Sequence, residues 1–307
     1  MKRVPVEKYK YPNSVNLFKF VQRVMSFQRN ERVHNKDIGE ILDFKPSDCS
    51  HWKRGFKNVK SINDLNSIAD YLEVEMSLVY DLATGRLGFE EAYFEYMETQ
   101  NILDISEMVA KVPRRKLLTA NKKVLAFVDK LQRDAKFTTP PLYLPEVLRF
   151  FPFVSIQQTD VLDKLTRILR VKSTNYKIQY KNGELSPQTR LAMTKDLARI
   201  VLDVERIRFP ELGEFFDETI EYEKFLFTAE LLCPRRLFSH EVSKVDPQLD
   251  LTTQLSKIFW APKCLINHQL KALLHNMFVM TQPQKKEVSS EKTISVNNSS
   301  EDTVGAT

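Results

Sequence analysis

The stretch Asn35-Lys36-Asp37-Ile38-Gly39-Glu40-Ile41-Leu42-Asp43-Phe44-Lys45-Pro46-Ser47-Asp48-Cys49-Ser50-His51-Trp52-Lys53-Arg54-Gly55 decides how the first part of this chain folds. Ile38, Leu42, Phe44, Cys49 and Trp52 recur where two short helices sharing one core need apolar side chains. Lys45, Ser47, Asp48, Ser50, His51 and Arg54 fall on the opposite side. Asp43-Phe44-Lys45-Pro46 supplies a turn, and Gly55 ends the second helix. The pattern predicts a helix-turn-helix, an arrangement whose second helix can lie in a DNA major groove.

Outward from this stretch the helical period continues. Asn13 to Gln28 carries Val15, Leu17, Phe18, Phe20, Val21, Val24 and Met25, with Asn13 and Ser14 as capping candidates. Beyond the loop Phe56 to Lys60, Ser61 can cap a helix with Ile62, Leu65, Ile68, Ala69 and Leu72 on one face, and a short fifth helix follows at about Ser77 to Ala83. Charge separates along the same region. Residues 1–60 hold fourteen Lys or Arg against six Asp or Glu, a local +8, whereas Ser61 to Leu82 has five acids and no Lys or Arg. Clustered positive charge suits phosphate neutralisation, the sequence-independent part of DNA affinity.

These five helices, over about residues 13 to 85, resemble the phage-repressor, Cro-like (XRE) family of DNA-binding domains. The resemblance rests on Ile38-Gly39, Phe44, Cys49, Trp52, Arg54-Gly55 and Ile68-Ala69 followed by Leu72 and Val74. Asp43 stands in the turn where the family usually has Gly, and Lys53 where it often has Glu; Asp tolerates a left-handed backbone. The resemblance implies a double-stranded DNA reader that works as a homodimer on paired half-sites. By position and chemistry, Asn35 and Lys36 are positioning contacts, Ser47, Ser50, His51 and Arg54 reach base edges, and Lys45, Lys53 and Lys57 meet phosphates. Asp48 can accept from a cytosine amino group, with a helix-capping role preferred.

Leu87 to Lys136 reads as helix-rich and linking. Ala92, Tyr93, Tyr96 and Met97 lie on one helix, Leu125 to Leu131 on another, and Pro113-Arg114-Arg115-Lys116 is a basic break between them, read as a solvated loop with a DNA contact as the alternative. The style then changes. Pro140-Pro141 punctuates, Glu146 to Phe151 reads as a short helix, and Phe153 to Gln157, Thr166 to Val171 and Tyr176 to Lys181 alternate as strands, the last turning at Asn182-Gly183. Ser186-Pro187 opens a long helix through Arg190 to Val204, with Leu191, Met193, Leu197, Ile200, Val201 and Val204 as its apolar points.

Residues of about 122 to 275 resemble the ImmA/IrrE family of zinc metallopeptidases. The matching stretches are Pro140 to Leu144, Arg190 to Leu202, Glu223 to Pro234 and a tail pair from Leu249 to Leu274. The resemblance implies a His-Glu-x-x-His helix, but that place reads Lys195-Asp196-Leu197-Ala198-Arg199. Neither an ammonium nor a guanidinium offers zinc a lone pair near neutral pH, so only Asp196 and, at the third-ligand position, Glu223 survive as carboxylates. The expectation is a pseudoenzyme pocket without metal or other cofactor, in which Lys195 and Arg199 pair with Glu223.

Composition bounds what remains. The 307 residues, 42% hydrophobic, suffice for two domains, and no run reaches the ~18 apolar residues of a membrane span, so a soluble, cytoplasmic protein is expected. Three scattered cysteines make neither a disulfide framework nor a metal knuckle. His240, His268 and His275 are isolated, and the seven glycines occur singly, which leaves no phosphate-cradling loop. The expected fold is mainly α: a five-helix DNA-binding domain over 1–86, a helical linker over 87–121, an α+β metallopeptidase-like domain with a small sheet over 122–276, and a disordered tail over 277–307. The expected function is a DNA-binding transcriptional regulator, not an enzyme, whose second domain senses a small-molecule effector, dimerises or docks a partner protein. A zinc-dependent repressor-cleaving peptidase and an antitoxin or antirepressor module stand as alternatives.

Overall fold

The helix α1 (Pro12–Arg29) buries Val15, Leu17, Phe18, Phe20, Val21, Val24 and Met25, a face far broader than a surface helix presents. Its breadth follows from its neighbours. In the computed structural model, which describes residues 9–281 without 161, 163, 173, 182–184 and 215, and only the backbone at 172 and 275–281, four later helices pack around α1. They are α3 (Pro46–Lys53), α4 (Ile62–Leu72), α5 (Met76–Thr84) and α6 (Phe89–Lys111), while α2 (Asn35–Ile41) packs on α3 and α4. Trp52 closes this core: it is fully buried, its indole Nε1 donates to the Ser14 carbonyl at 2.6 Å, and Phe18 meets its ring edge-on at 5.1 Å.

Several local details differ from the sequence reading. The first helix begins at Pro12 with no side-chain cap. Ser14 is buried, donating to the Lys57 carbonyl at 3.1 Å and accepting from the Val59 amide at 2.9 Å. Ser61 does cap α4, accepting from the Asp64 amide at 3.1 Å, but Ile62 is exposed because the first turn extends past the core. The segment read as a linker contributes Ala92 and Tyr96 to the N-terminal core. Arg114 to Lys116 form the first turn of α7 (Arg114–Asp134), where Lys116 pairs with Glu218 at 2.9 Å and stands over the Phe216 ring.

A second core runs from Val124 to Ile266. It holds α7, the short α8 (Leu144–Leu148), three strands, α9 (Pro187–Ala198), α10 (Ile220–Leu232), α11 (Arg235–Val242), α12 (Leu251–Phe259) and the start of α13 (Lys263–Thr281). The short helix α8 lies earlier than Glu146 to Phe151, since Pro145 sits in its first turn. The strands β1 (Val154–Thr159), β2 (Thr166–Lys172) and β3 (Asn175–Lys181) form one sheet in the order β1-β3-β2. The central β3 runs parallel to β1 and antiparallel to β2, with Ile178 opposite both Ile156 and Ile168. Asn182-Gly183 and residues 282–307 lie outside the described residues.

Ser186 caps α9 as its sequence suggests, accepting from the Thr189 amide at 3.2 Å. The expected continuous helix instead changes at Arg199 into a π-helical turn, Arg199–Val204, after which Val204 is exposed. Nearly every face of α9 is covered, and its most deeply buried charge, Arg190, finds partners. The Arg190 guanidinium donates to the carbonyls of Phe259 at 2.6 Å, Trp260 at 2.9 Å and Leu142, which closes the C-terminal end of α12. Burial lowers the Arg190 pKa to about 10, still fully cationic at neutral pH.

Polar bonds join the two cores. Lys263 pairs with Asp81 at 2.7 Å, and Asn267 donates to Glu75 at 2.7 Å. The buried Glu95 carboxylate on α6 accepts from the Cys264 amide at 3.0 Å, in the first turn of α13, and from Gln188 at 3.1 Å. Among the described residues the fold is mainly α with one three-stranded sheet, and no helix is long and apolar enough to cross a membrane.

Candidate functional site

Two places hold the residues singled out by chemistry, and they are built in opposite ways. The first is the outer face of α2 and α3. The two helices approach closely because Gly39 has no side chain: an added Cβ would stand 2.7 Å from the Phe44 carbonyl oxygen and 3.0 Å from the Cys49 sulfur. Asp43 makes the turn in the left-handed region, φ 49°, where a glycine would be at ease. The Asp37 carboxylate accepts from the His34 amide at 2.7 Å and starts α2. Ile38, Cys49 and Trp52 are buried, and Leu42 and Phe44 half-buried.

On the solvent side Lys36, Lys45, Ser47, His51, Lys53 and Arg54 are exposed, with Asn35 and Ser50 half-buried. Among the described residues Lys45, Lys53 and Arg54 form no ion pair with a carboxylate. One expectation needs correction. Asp48 does not cap α3, whose N-cap residue is Lys45; it pairs with Lys57 at 3.2 Å. Lys57 in turn lies 3.5 Å from the Phe44 ring centroid. Phe56, 53% exposed, was not singled out by its sequence position. It sits between His51, edge-on at 6.5 Å, and the Arg54 guanidinium at 5.9 Å, so an apolar surface interrupts the polar face. An aromatic directly after the helix-ending Gly55 is the signal that marks it.

The second place surrounds Lys195, Asp196 and Arg199 on α9 and its π turn. These three side chains lie between two clefts. One, of about 170 Å³, is closed by α6 and α10 and lined by Glu98, Glu221 and Lys224. The other, of about 1170 Å³, opens between α1, α6 and β2. Lys195 donates to Glu98 at 2.5 Å. Burial raises the Asp196 pKa, against the Thr166 hydroxyl and the charges of Arg199 and Lys195, and its Oδ2 has no hydrogen-bond partner among the described residues.

The expected pairing of Lys195 and Arg199 with Glu223 does not form. Glu223 is buried and bonds Arg206 at 2.6 Å and the Thr219 hydroxyl at 2.9 Å. Arg206 also donates to the Gly213 carbonyl at 2.8 Å and the Leu212 carbonyl at 3.0 Å, which fixes the loop before α10. Burial of both charges requires this saturation of bonds. Neither Arg206 nor Glu98 was legible as a partner, because each stands too far from its mate in sequence for a periodic signal. As donors to zinc, Lys195, Arg199 and Glu223 do not fit: the first two are cations, and the Glu223 carboxylate is held by a guanidinium. Among the described residues no group of three or more His, Cys, Asp or Glu could hold a metal ion.

The other reactive side chains are confined. All three thiols are buried, and burial pushes each pKa upward, away from the nucleophilic thiolate. His268 packs edge-on against Phe225 at 4.7 Å; burial, with Arg235 and Lys271 nearby, lowers its pKa to about 4. The side chain of His275 lies outside the described residues. No protein-family model, curated protein or solved structure matches this chain.

Proposed function

We propose that this chain is a sequence-specific DNA-binding transcriptional regulator whose second core is non-catalytic and serves for sensing, dimerisation or partner docking. The observation that carries the reading is the face of α3. Lys45, Ser47, His51, Lys53 and Arg54 project from a helix fixed by Trp52 and the Gly39 contact, with no carboxylate among the described residues neutralising the cations. Such a face supplies phosphate contacts from the lysines and base-edge contacts from His51 and Arg54. The cations in place of zinc ligands on α9 favour this reading over a peptidase, and metal analysis tests that part: less than about a tenth of an equivalent of zinc is expected.

Selection of duplexes from a random library, followed by fluorescence anisotropy on the enriched sequence, tests DNA reading. Arg54→Ala should cost about 1–3 kcal/mol and relax preference at particular positions. Lys53→Ala should weaken all duplexes alike and reduce the salt slope by about one. Failure to enrich any sequence, with equal binding by the Arg54 variant, would leave α3 as a protein-docking face of the antirepressor kind. A homodimer is expected on the DNA, to be checked by sedimentation with and without the selected duplex.

A further inference from the structure

The cleft of about 1170 Å³ is bounded by the N-terminal core on one side and by β2 and α9 on the other. Its volume is somewhat above the roughly 300–1000 Å³ of most small-molecule sites, and its walls combine two chemistries. Arg23, Arg167 and Arg199 face it, and none of them has a carboxylate within ion-pair distance among the described residues; Lys164 adds a further cation at the rim. The Lys195 charge is already matched by Glu98, and among the described residues Glu90 is the one other acid on the walls besides Asp196. Burial shifts Asp196 toward its neutral form, which lessens its repulsion of an anion. Phe89 and Tyr93 lie one helical turn apart on α6, half-buried, with rings stacked at 6.2 Å and 18°. The Arg23 guanidinium covers Tyr93 at 5.4 Å.

We propose that this cleft binds a nucleotide carrying two or more phosphates, with its base against the Phe89 and Tyr93 rings and its phosphates between Arg23, Arg167 and Arg199. Unpaired guanidiniums match phosphate oxygens in a bidentate way, and base stacking on an aromatic face is sequence-tolerant, worth about 1–3 kcal/mol in single-strand readers. The cations come from three elements, α1, β2 and the π turn after α9, so a ligand that satisfies them all ties the DNA-reading core to the second core. That arrangement is the one an effector site requires, since binding contacts depend on both sides being in place. The cleft is formed without any contribution from α3, so the site stands whether or not the chain reads DNA.

Isothermal titration calorimetry on the full chain tests it, with ATP, GTP, AMP, adenosine and inorganic tripolyphosphate as probes. Saturable one-to-one binding of a nucleoside triphosphate is expected, with AMP, adenosine and tripolyphosphate each weaker by about tenfold or more. Arg167→Gln and Arg199→Gln should each lower that affinity by about tenfold, while the melting temperature of the ligand-free variants stays at the parent value because both side chains are exposed. Arg54→Ala should bind the nucleotide like the parent. No saturable binding by either triphosphate would overturn the proposal. So would tripolyphosphate binding as tightly as ATP, which would remove the role of the rings, or unchanged affinity in both arginine variants.

Discussion

The outer face of α3 and the helix α9 both carry cations at helical spacing, and they use them in opposite senses. On α3 the charged groups point to solvent and the apolar ones alone make the frame, so Lys45, Lys53 and Arg54 can change without moving Trp52. On α9 the guanidinium of Arg190 is inside the frame, bonded to three carbonyls of distant segments. Periodicity identifies which face is apolar but treats a cation on the covered side as an anomaly. The difference teaches that a buried arginine is explained by carbonyls it collects, here at the end of α12, and not by residues near it in sequence.

Arg190 offers the largest test of this contrast. Replacing it by Ala leaves three carbonyls without their donor inside the second core and opens a cavity, at a cost of about 3–5 kcal/mol. Arg190→Lys should recover little, since one ammonium cannot span the carbonyls of Leu142, Phe259 and Trp260 at once. Arg54→Ala on the open face should change stability by less than about 0.5 kcal/mol. Urea unfolding of the three variants makes the comparison; a loss below about 1 kcal/mol for Arg190→Ala would break it.

The next effect depends on pH. The folded-state pKa of His268 lies near 4, below the ordinary 6.5, because burial and the charges of Arg235 and Lys271 oppose its protonation. The unfolded chain therefore takes up this proton at higher pH than the folded one. Its contribution to stability is complete above about pH 6.5, falls as the pH drops through the interval from there to about 4, and totals about 3 kcal/mol at most. Glu95 and Asp196, whose pKa values are raised by burial, work in the opposite direction on acidification. Parent and His268→Gln should consequently be compared at each pH, and the gap between them should narrow or reverse toward pH 4. A pH-independent gap would show that the packing on Phe225 is all that His268 provides.

Much of the N-terminal part was legible because its information is local. The apolar period of α1, the Ser61 cap and the left-handed turn at Asp43 each depend on residues within a few positions of one another. Three strands and the Ser186 cap of α9 were readable for the same reason. The pocket partners were not. Glu98 reaches Lys195 across 97 positions, and Arg206 claims Glu223 from a loop with no regular period. The partners of Lys57 were not legible either: its neighbours in sequence are exposed, but its ammonium lies over Phe44 and pairs with Asp48.

The smallest expected effect sharpens the description of the open face. Asp43 holds φ 49° in the turn between α2 and α3, and its side chain is exposed. A left-handed backbone disfavours any Cβ, least so for Asp and Asn, whereas glycine adopts it freely and loses more entropy on folding. The two terms nearly cancel, leaving Asp43→Gly stabilising by about 0.5 kcal/mol, with Asp43→Val destabilising by about 1–2 kcal/mol because a β-branched side chain cannot relieve the crowding. Thermal melts of both variants distinguish backbone strain from side-chain contact. If strain governs the turn, Gly and Val shift stability in opposite directions; if a contact of the Asp43 carboxylate governs it, both variants lose stability together.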